Sequence, residues 1–412
     1  MKNRLIRIGL MASFILFGTT SIAENGGKSA PELSEFDVNN LTYSFEQTLP
    51  DLSNAYIDSS PAAKADGIVV GKLVTDGDRK NSIIELAQEL EKGVHGGYDS
   101  VLISHNGKLI FESYYKKGRV NLPHFQASVT KSYLSLAIGR AIQLGYLTMA
   151  DLNKPVVQFL KDLEYERISD GAENITLDQV MSMRSGIRVS DDHLKLIRDN
   201  GSKIKGYNIA QAFLQYSGAI LSESQIFRYQ DSDPRITMQV LDSVVPGTAE
   251  QFIKNEVLDK LGVTVYGWRK DINGLPIAES GSSITSRDML KFGVLVSNRG
   301  RWRGEQLISA DFLVKATSDI TKAAEDWIPD TFNYGYFWYQ TDMKIEGESY
   351  DVNLTWGGGG QRILVIRNLD LVVVITGHDR EDKIMSEVSN KILPEFAKAQ
   401  SLSSRNNSDV RR

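Results

Sequence analysis

Ser128 and Lys131 open a strongly apolar run, Ser128-Val129-Thr130-Lys131-Ser132-Tyr133-Leu134-Ser135-Leu136-Ala137-Ile138. On a helix, residues three apart share a face, so the amine reaches the hydroxyl across a single turn and can take its proton. The pair suits a nucleophilic serine with a lysine base. Placement at a helix start adds free N–H groups and the positive dipole end, which favour the negative charge that develops in acyl transfer. On the helix pattern alone, a lysine that snorkels to water or pairs with an acid is the competing reading.

The Ser-x-x-Lys spacing occurs three times, and context separates the three. Ser113 and Lys116 lie in a stretch that reads as a strand after the Asn106-Gly107 turn, where positions three apart face opposite ways. Ser202 and Lys205 fall in a glycine-bounded basic loop with no apolar helix behind it. Only Ser128 heads a run whose apolar positions (Tyr133, Leu134, Leu136, Ala137, Ile138, Ala141, Ile142, Leu144) cover so much of the circumference that burial follows.

Two further segments could take part. Tyr229, in Phe227-Arg228-Tyr229-Gln230-Asp231-Ser232, offers a phenol that can pass a proton when it stands beside an amine, although most loop tyrosines only pack. Trp356-Gly357-Gly358-Gly359-Gly360-Gln361 precedes the strand-like Arg362-Ile363-Leu364-Val365; its glycines allow backbone N–H groups to approach a ligand, or simply a tight turn into the strand. His124 and His378 raise a Ser-His-Asp alternative, but no Gly-x-Ser-x-Gly elbow is present, and both read as structural. Five scattered histidines, no cysteine and no His-Glu-x-x-His leave no metal-ligand set in sequence spacing, and no cofactor is expected.

The elements that must position these groups are legible in outline. Helical spacing over 81–92 precedes a hairpin of Val101-Leu102-Ile103-Ser104 and 108–114 about Asn106-Gly107. From about 125 to 315 the pattern is mainly helical, with helices over 177–183, 248–260 and 286–298, each closed by glycine. Strands return at 334–340, 362–367 and 371–376, before an amphipathic helix over about 383–399. Strands at both ends with helices between predict an α+β fold: an antiparallel sheet flanked by helices, with an inserted mainly helical lobe. The main domain is read as 61–400, after an extended lead-in over 24–60 and before a disordered polar tail over 401–412.

With 41% hydrophobic and 24% charged residues, the chain is an ordinary globular protein. Lys2, Arg4 and Arg7, an apolar stretch from Ile8 to Phe17, and Ser21-Ile22-Ala23 have the order of a secretory signal cleaved after Ala23. That apolar stretch is too short to span a bilayer, so periplasmic or secreted localisation without stable membrane insertion is expected. The net charge of −5, less the three cations of residues 1–23, becomes −8 after cleavage, and with no basic stripe this argues against a nucleic-acid partner.

In order and setting, Ser128-Val129-Thr130-Lys131, Tyr229 and Trp356-Gly357-Gly358 resemble the motifs of the serine β-lactamase and penicillin-binding superfamily. The similarity is to its class C-like branch, which includes family VIII carboxylesterases and 6-aminohexanoate-dimer hydrolases. Framework segments 145–156, 175–186 and 284–293 support it, over roughly 98–380. The resemblance implies Ser128 as acylated nucleophile, Lys131 as its proton acceptor and Tyr229 as the tyrosine of the second motif. Gln230-Asp231 departs from the family's second motif, which leaves Asp231 as a weak candidate. Trp356-Gly357-Gly358 stands where a cationic Lys-Thr-Gly is usual and resembles family VIII esterases. The resemblance also implies an oxyanion hole from the N–H groups of Ser128 and Gly359. Tryptophan offers an apolar wall in place of a cation, which favours uncharged small-molecule esters, amides or short peptide-like substrates unless Arg362 restores the charge. Serine esterase or amidase activity is therefore expected, with β-lactamase or D,D-peptidase activity, or a catalytically idle binding protein, as alternatives.

Overall fold

The computed structural model describes residues 29–39, 42–73, 79–199, 209–345, 347–379 and 384–397. The leader expected over 1–23, the loop of Ser202 and Lys205 and the 401–412 tail lie outside them. The strands in chain order are β1 (Tyr56–Asp58), β2 (Tyr98–His105), β3 (Lys108–Tyr114), β4 (His124–Phe125), β5 (Tyr266–Trp268), β6 (Ser282–Ile284), β7 (Arg301–Trp302) and β8 (Glu305–Gln306). They continue with β9 (Thr321–Lys322), β10 (Asn333–Tyr334), β11 (Tyr339–Ile345), β12 (Glu348–Gly357), β13 (Gln361–Ile366) and β14 (Leu371–Gly377).

Asn106 and Gly107 both take positive φ, +50° and +70°, which turns β2 into β3 with the twist a two-residue hairpin needs. The main sheet is antiparallel, in the order β1-β3-β2-β14-β13-β12-β11-β10-β9. Ile103 pairs with Val373, so the chain's two ends share one sheet, as the strand distribution predicts. A second, three-stranded sheet in the order β4-β6-β5 leads into the Ser128 helix.

Central strands β13 and β14 are buried at every position, as expected for a sheet covered on both faces. The Ser286–Ser297 helix lies across β2, β13 and β14. Gly293 permits this close packing, because a Cβ there would sit 2.4 Å from Val372 Cγ1. Thr285 caps that helix by accepting the Asp288 N–H.

Three details differ from the sequence reading. The lead-in is not wholly extended: it forms short helices at Glu35–Asn39 and Tyr43–Thr48, and β1 then joins the sheet edge beside β3. The strand expected over 334–340 is interrupted, with Phe337 at φ +59° between β10 and β11. β12 escaped notice because its first half, Glu-Ser-Tyr-Asp, is polar and exposed; pairing with β11 and β13 makes it a strand.

Candidate active site

Ser128 follows Ala127, which is held at φ +47°, a costly conformation for a residue with a Cβ. Its surroundings fix the turn. Gln126 N–H donates to Ser282 O at 2.9 Å, and Thr130 Oγ1 lies 2.7 Å from both Ala127 O and Ser282 Oγ. The Val129–Gln143 helix that follows is buried from Val129 through Ala141, as its apolar pattern requires. Gly139 lets it pack closely, since a Cβ there would meet Ile308 and Phe312 at 2.6 Å.

One turn into this helix, Lys131 is 2% exposed. Its Nζ lies 3.0 Å from Ser128 Oγ and donates to Glu279 O at 2.8 Å. It also stands 4.7 Å from the Tyr229 ring centroid, within cation–π range. The three residues singled out from two segments therefore form one cluster. The spacing alternatives do not: Ser113 Oγ donates to Val101 O, while Lys116 Nζ contacts Gly96 O.

The Tyr229 loop is tethered from below. Tyr229 N–H donates to Glu325 Oε1 at 2.8 Å, and Arg228 N–H to Met183 O at 2.9 Å. Beneath them Asp233 is fully buried, accepting from Ser185 Oγ at 2.7 Å, Gln230 Nε2 at 2.7 Å and Ser232 Oγ at 2.9 Å. Burial outweighs these donors and pushes its pKa up to about 6. Gln230 is thus a brace for Asp233. Asp231 is exposed at the start of the Ser232–Val244 helix, makes no side-chain cap, and lines a cavity of about 1070 Å³ that opens beside Tyr229. Glu279, Glu325, Ser185 and Asp233 carry no motif of their own, and residue type alone does not mark them.

On the opposite side, Trp356 near the end of β12 belongs to an aromatic wall. Its ring centroid is 5.6 Å from those of Trp327, Phe332 and Tyr339, and Trp327 stands edge-on to Tyr229 at 5.4 Å. Arg362 does not restore a cation to the cleft. Its side chain has no solvent exposure, stacks 4.6 Å over Trp356, and donates to Gly357 O and Gln361 O at 2.9 and 2.8 Å. Burial lowers its pKa to about 9. The glycines differ in surroundings. A Cβ on Gly357 would lie 2.5 Å from Gln126 O, beside the turn into Ser128, whereas Gly359 (φ +94°) approaches Gly377 O and Gly358 meets nothing within 4 Å.

Neither histidine completes a triad with Ser128. His124 Nε2 and His378 Nδ1 both contact Asp99 Oδ2, at 3.1 and 2.5 Å, and the remaining nitrogen of each ring faces Glu46 Oε1 at 3.3 Å. Burial alone would lower the pKa of His378, but Asp99 and Glu46 raise it to about 9, so it holds its proton at neutral pH.

No curated protein matches the chain. Solved structures of similar fold include a candidate 6-aminohexanoate-dimer hydrolase from Bacillus anthracis, 18% identical, covering 89% of this chain and 95% of that one with a TM-score of 0.61. A family VIII carboxylesterase is 14% identical over 76% of this chain and 94% of its own, with a TM-score of 0.57. An octameric penicillin-binding protein homologue from Pyrococcus abyssi is 17% identical over 77% of each chain, with a TM-score of 0.55. At such identities the likeness shows the β-lactamase/transpeptidase fold. The family model described as Beta-lactamase matches residues 83–385, which span Ser128, Lys131, Tyr229 and the glycine turn, and the chain belongs to that family.

Proposed function

We propose that this protein is a serine hydrolase that opens an uncharged ester or amide through an acyl-enzyme on Ser128. The observation that carries the reading is Lys131 Nζ, buried, 3.0 Å from Ser128 Oγ at the start of a buried helix. In the reactive state, neutral Lys131 accepts the Ser128 proton as Oγ attacks the carbonyl carbon. The resulting oxyanion is received by the N–H groups of Ser128 and Gly359. Within the glycine turn, Gly357 is the residue pressed against the segment leading to Ser128. Collapse expels the alcohol or amine, which takes the proton back from Lys131 by way of Tyr229. A water then repeats the sequence on the acyl-enzyme, giving its proton to the same pair and releasing the acid.

The aromatic wall supports esters and amides over β-lactams. Trp356 stands where the family's cationic third motif would meet a substrate carboxylate, and the guanidinium of Arg362 is sealed against the ring. The panel that tests this is turnover of a short-chain nitrophenyl ester, a linear anilide and a chromogenic cephalosporin. Ester or anilide hydrolysis well above cephalosporin hydrolysis is expected. Fast cephalosporin turnover with no esterase activity would refute the preference.

A further inference from the structure

Outside the catalytic residues, four titratable side chains from four separate segments meet beneath the lead-in. Glu46 comes from the Tyr43–Thr48 helix, Asp99 from β2, His124 from β4 and His378 from just past β14. Glu46, Asp99 and His124 are 1–2% exposed, and His378 keeps 20% of its side chain open to solvent. A carboxylate only accepts, so the ring nitrogens facing Asp99 Oδ2, His124 Nε2 and His378 Nδ1, each carry a hydrogen. The other two ring nitrogens, His124 Nδ1 and His378 Nε2, both stand 3.3 Å from the same atom, Glu46 Oε1. His124 Nδ1 is also 3.1 Å from Phe125 O, and Glu46 Oε2 takes the Phe125 N–H at 3.1 Å. His378 Nε2 is buried and meets Glu46 Oε1 as an ion pair at 3.3 Å, without the geometry of a hydrogen bond.

We propose that Glu46 Oε1, His124 Nδ1 and His378 Nε2 bind a divalent transition ion, with Zn²⁺ the best fit. Ligands about 2.0–2.1 Å from a tetrahedral Zn²⁺ lie about 3.3–3.4 Å from one another, which matches both contacts to Glu46. All three ligand atoms fall within 4.8 Å of one another. Asp99 supplies what metal-bound imidazoles ordinarily need, a carboxylate on the other ring nitrogen that fixes tautomer and orientation. Binding displaces the proton that His378 holds in the ion-free cluster, and one dication with neutral imidazoles then offsets the two carboxylates. The exposed edge of His378 gives a route for the ion. A second cluster, Glu89, His95 and Glu387, carries no such proposal, because the Lys391 ammonium already pairs with Glu89. Bound there, the ion ties the lead-in to β4, four residues before Ser128, and to the end of β14. Its place is structural, apart from the reacting atoms.

The test uses the full-length chain without a histidine tag, titrated with ZnCl₂ and, separately, with Co²⁺. One Zn²⁺ per chain and the visible ligand-field bands of tetrahedral Co²⁺ are expected. Glu46→Gln and His378→Ala should lose at least about 100-fold in affinity, and Asp99→Asn about 10–100-fold. Absence of stoichiometric binding by the folded wild type, or wild-type affinity in His378→Ala, overturns the site and leaves an ion-free cluster of imidazolium and carboxylate. Should the variants not fold, the Co²⁺ spectrum of the wild type decides alone, for a folded chain without the bands contradicts the site. Ester turnover is not the readout, so the outcome is separate from the assignment of Ser128.

Discussion

Lys131 has little access to water, and the ammonium of a lysine has three hydrogens to place. In the structure they meet Ser128 Oγ, Glu279 O and the face of Tyr229. Each contact holds the amine beside Ser128, and Tyr229 adds a phenol, a second group besides the Ser128 hydroxyl that can exchange a proton. Tyr229→Phe keeps the ring over the amine and removes the phenol, so it should lower kcat/KM by about 10²–10⁴-fold with the fold intact. Stopped-flow and steady-state ester hydrolysis measure this, and a variant within twofold of wild type takes Tyr229 out of the proton path. Ser128 and Lys131 were readable from sequence because one helical turn brings them together and an apolar run marks that helix as buried. Glu279 was not, because it contributes a main-chain oxygen from 148 residues away, and a backbone carbonyl leaves no trace in residue type. Arg362 shows the converse: its type suggested a substrate cation, and only burial reveals that it braces Trp356 and the turn.

The glycine-rich segment after Trp356 allows two neighbouring substitutions with opposite consequences. A methyl at Gly357 must push against the carbonyl of Gln126, which is backbone in the turn that presents Ser128. At Gly358 the same methyl meets nothing within 4 Å. Gly357→Ala should therefore cost about 10²–10³-fold in ester turnover by pushing the turn and its oxyanion donor out of place, while Gly358→Ala stays close to wild type. A Gly357→Ala variant as active as wild type would show that this turn does not shape the site. β12, which carries the turn, illustrates where periodicity stops. Its Glu348 to Asp351 half is solvated and reads as loop, and the strand exists because β11 and β13 pair along it. The β2–β3 hairpin was plain from Asn106-Gly107, whose backbone conformation is set locally, while the short helices of the lead-in depend on burying Glu46 and Leu49 against the rest of the chain.

Across the whole molecule, one sheet made from both chain ends supports a helical insertion that carries Ser128, and this was legible in the order of strand and helix patterns. The charge buried between the parts was not. Asp233 is the clearest case, since in the unfolded chain it titrates near its ordinary value and in the fold near 6. The folded state thus holds the proton more tightly. Its contribution to stability is present at acid pH and is lost as pH rises from about 4 through 6, worth on the order of 3 kcal/mol for a fully buried group. In Asp233→Asn this term vanishes, so urea unfolding at pH 4.5 and 7.5 should show the variant gaining on wild type at the higher pH. Parallel profiles for the two proteins would place the titration elsewhere.

The measurement that bears most directly on the acyl-enzyme is intact-protein and peptide mass spectrometry after reaction with a fluorophosphonate probe. One adduct per chain, on Ser128, is expected for the wild type, with none on Ser128→Ala that retains the wild-type circular dichroism spectrum, and a slow reaction in Lys131→Ala. An adduct that persists in folded Ser128→Ala, or a wild type that never labels, would contradict the nucleophile assignment.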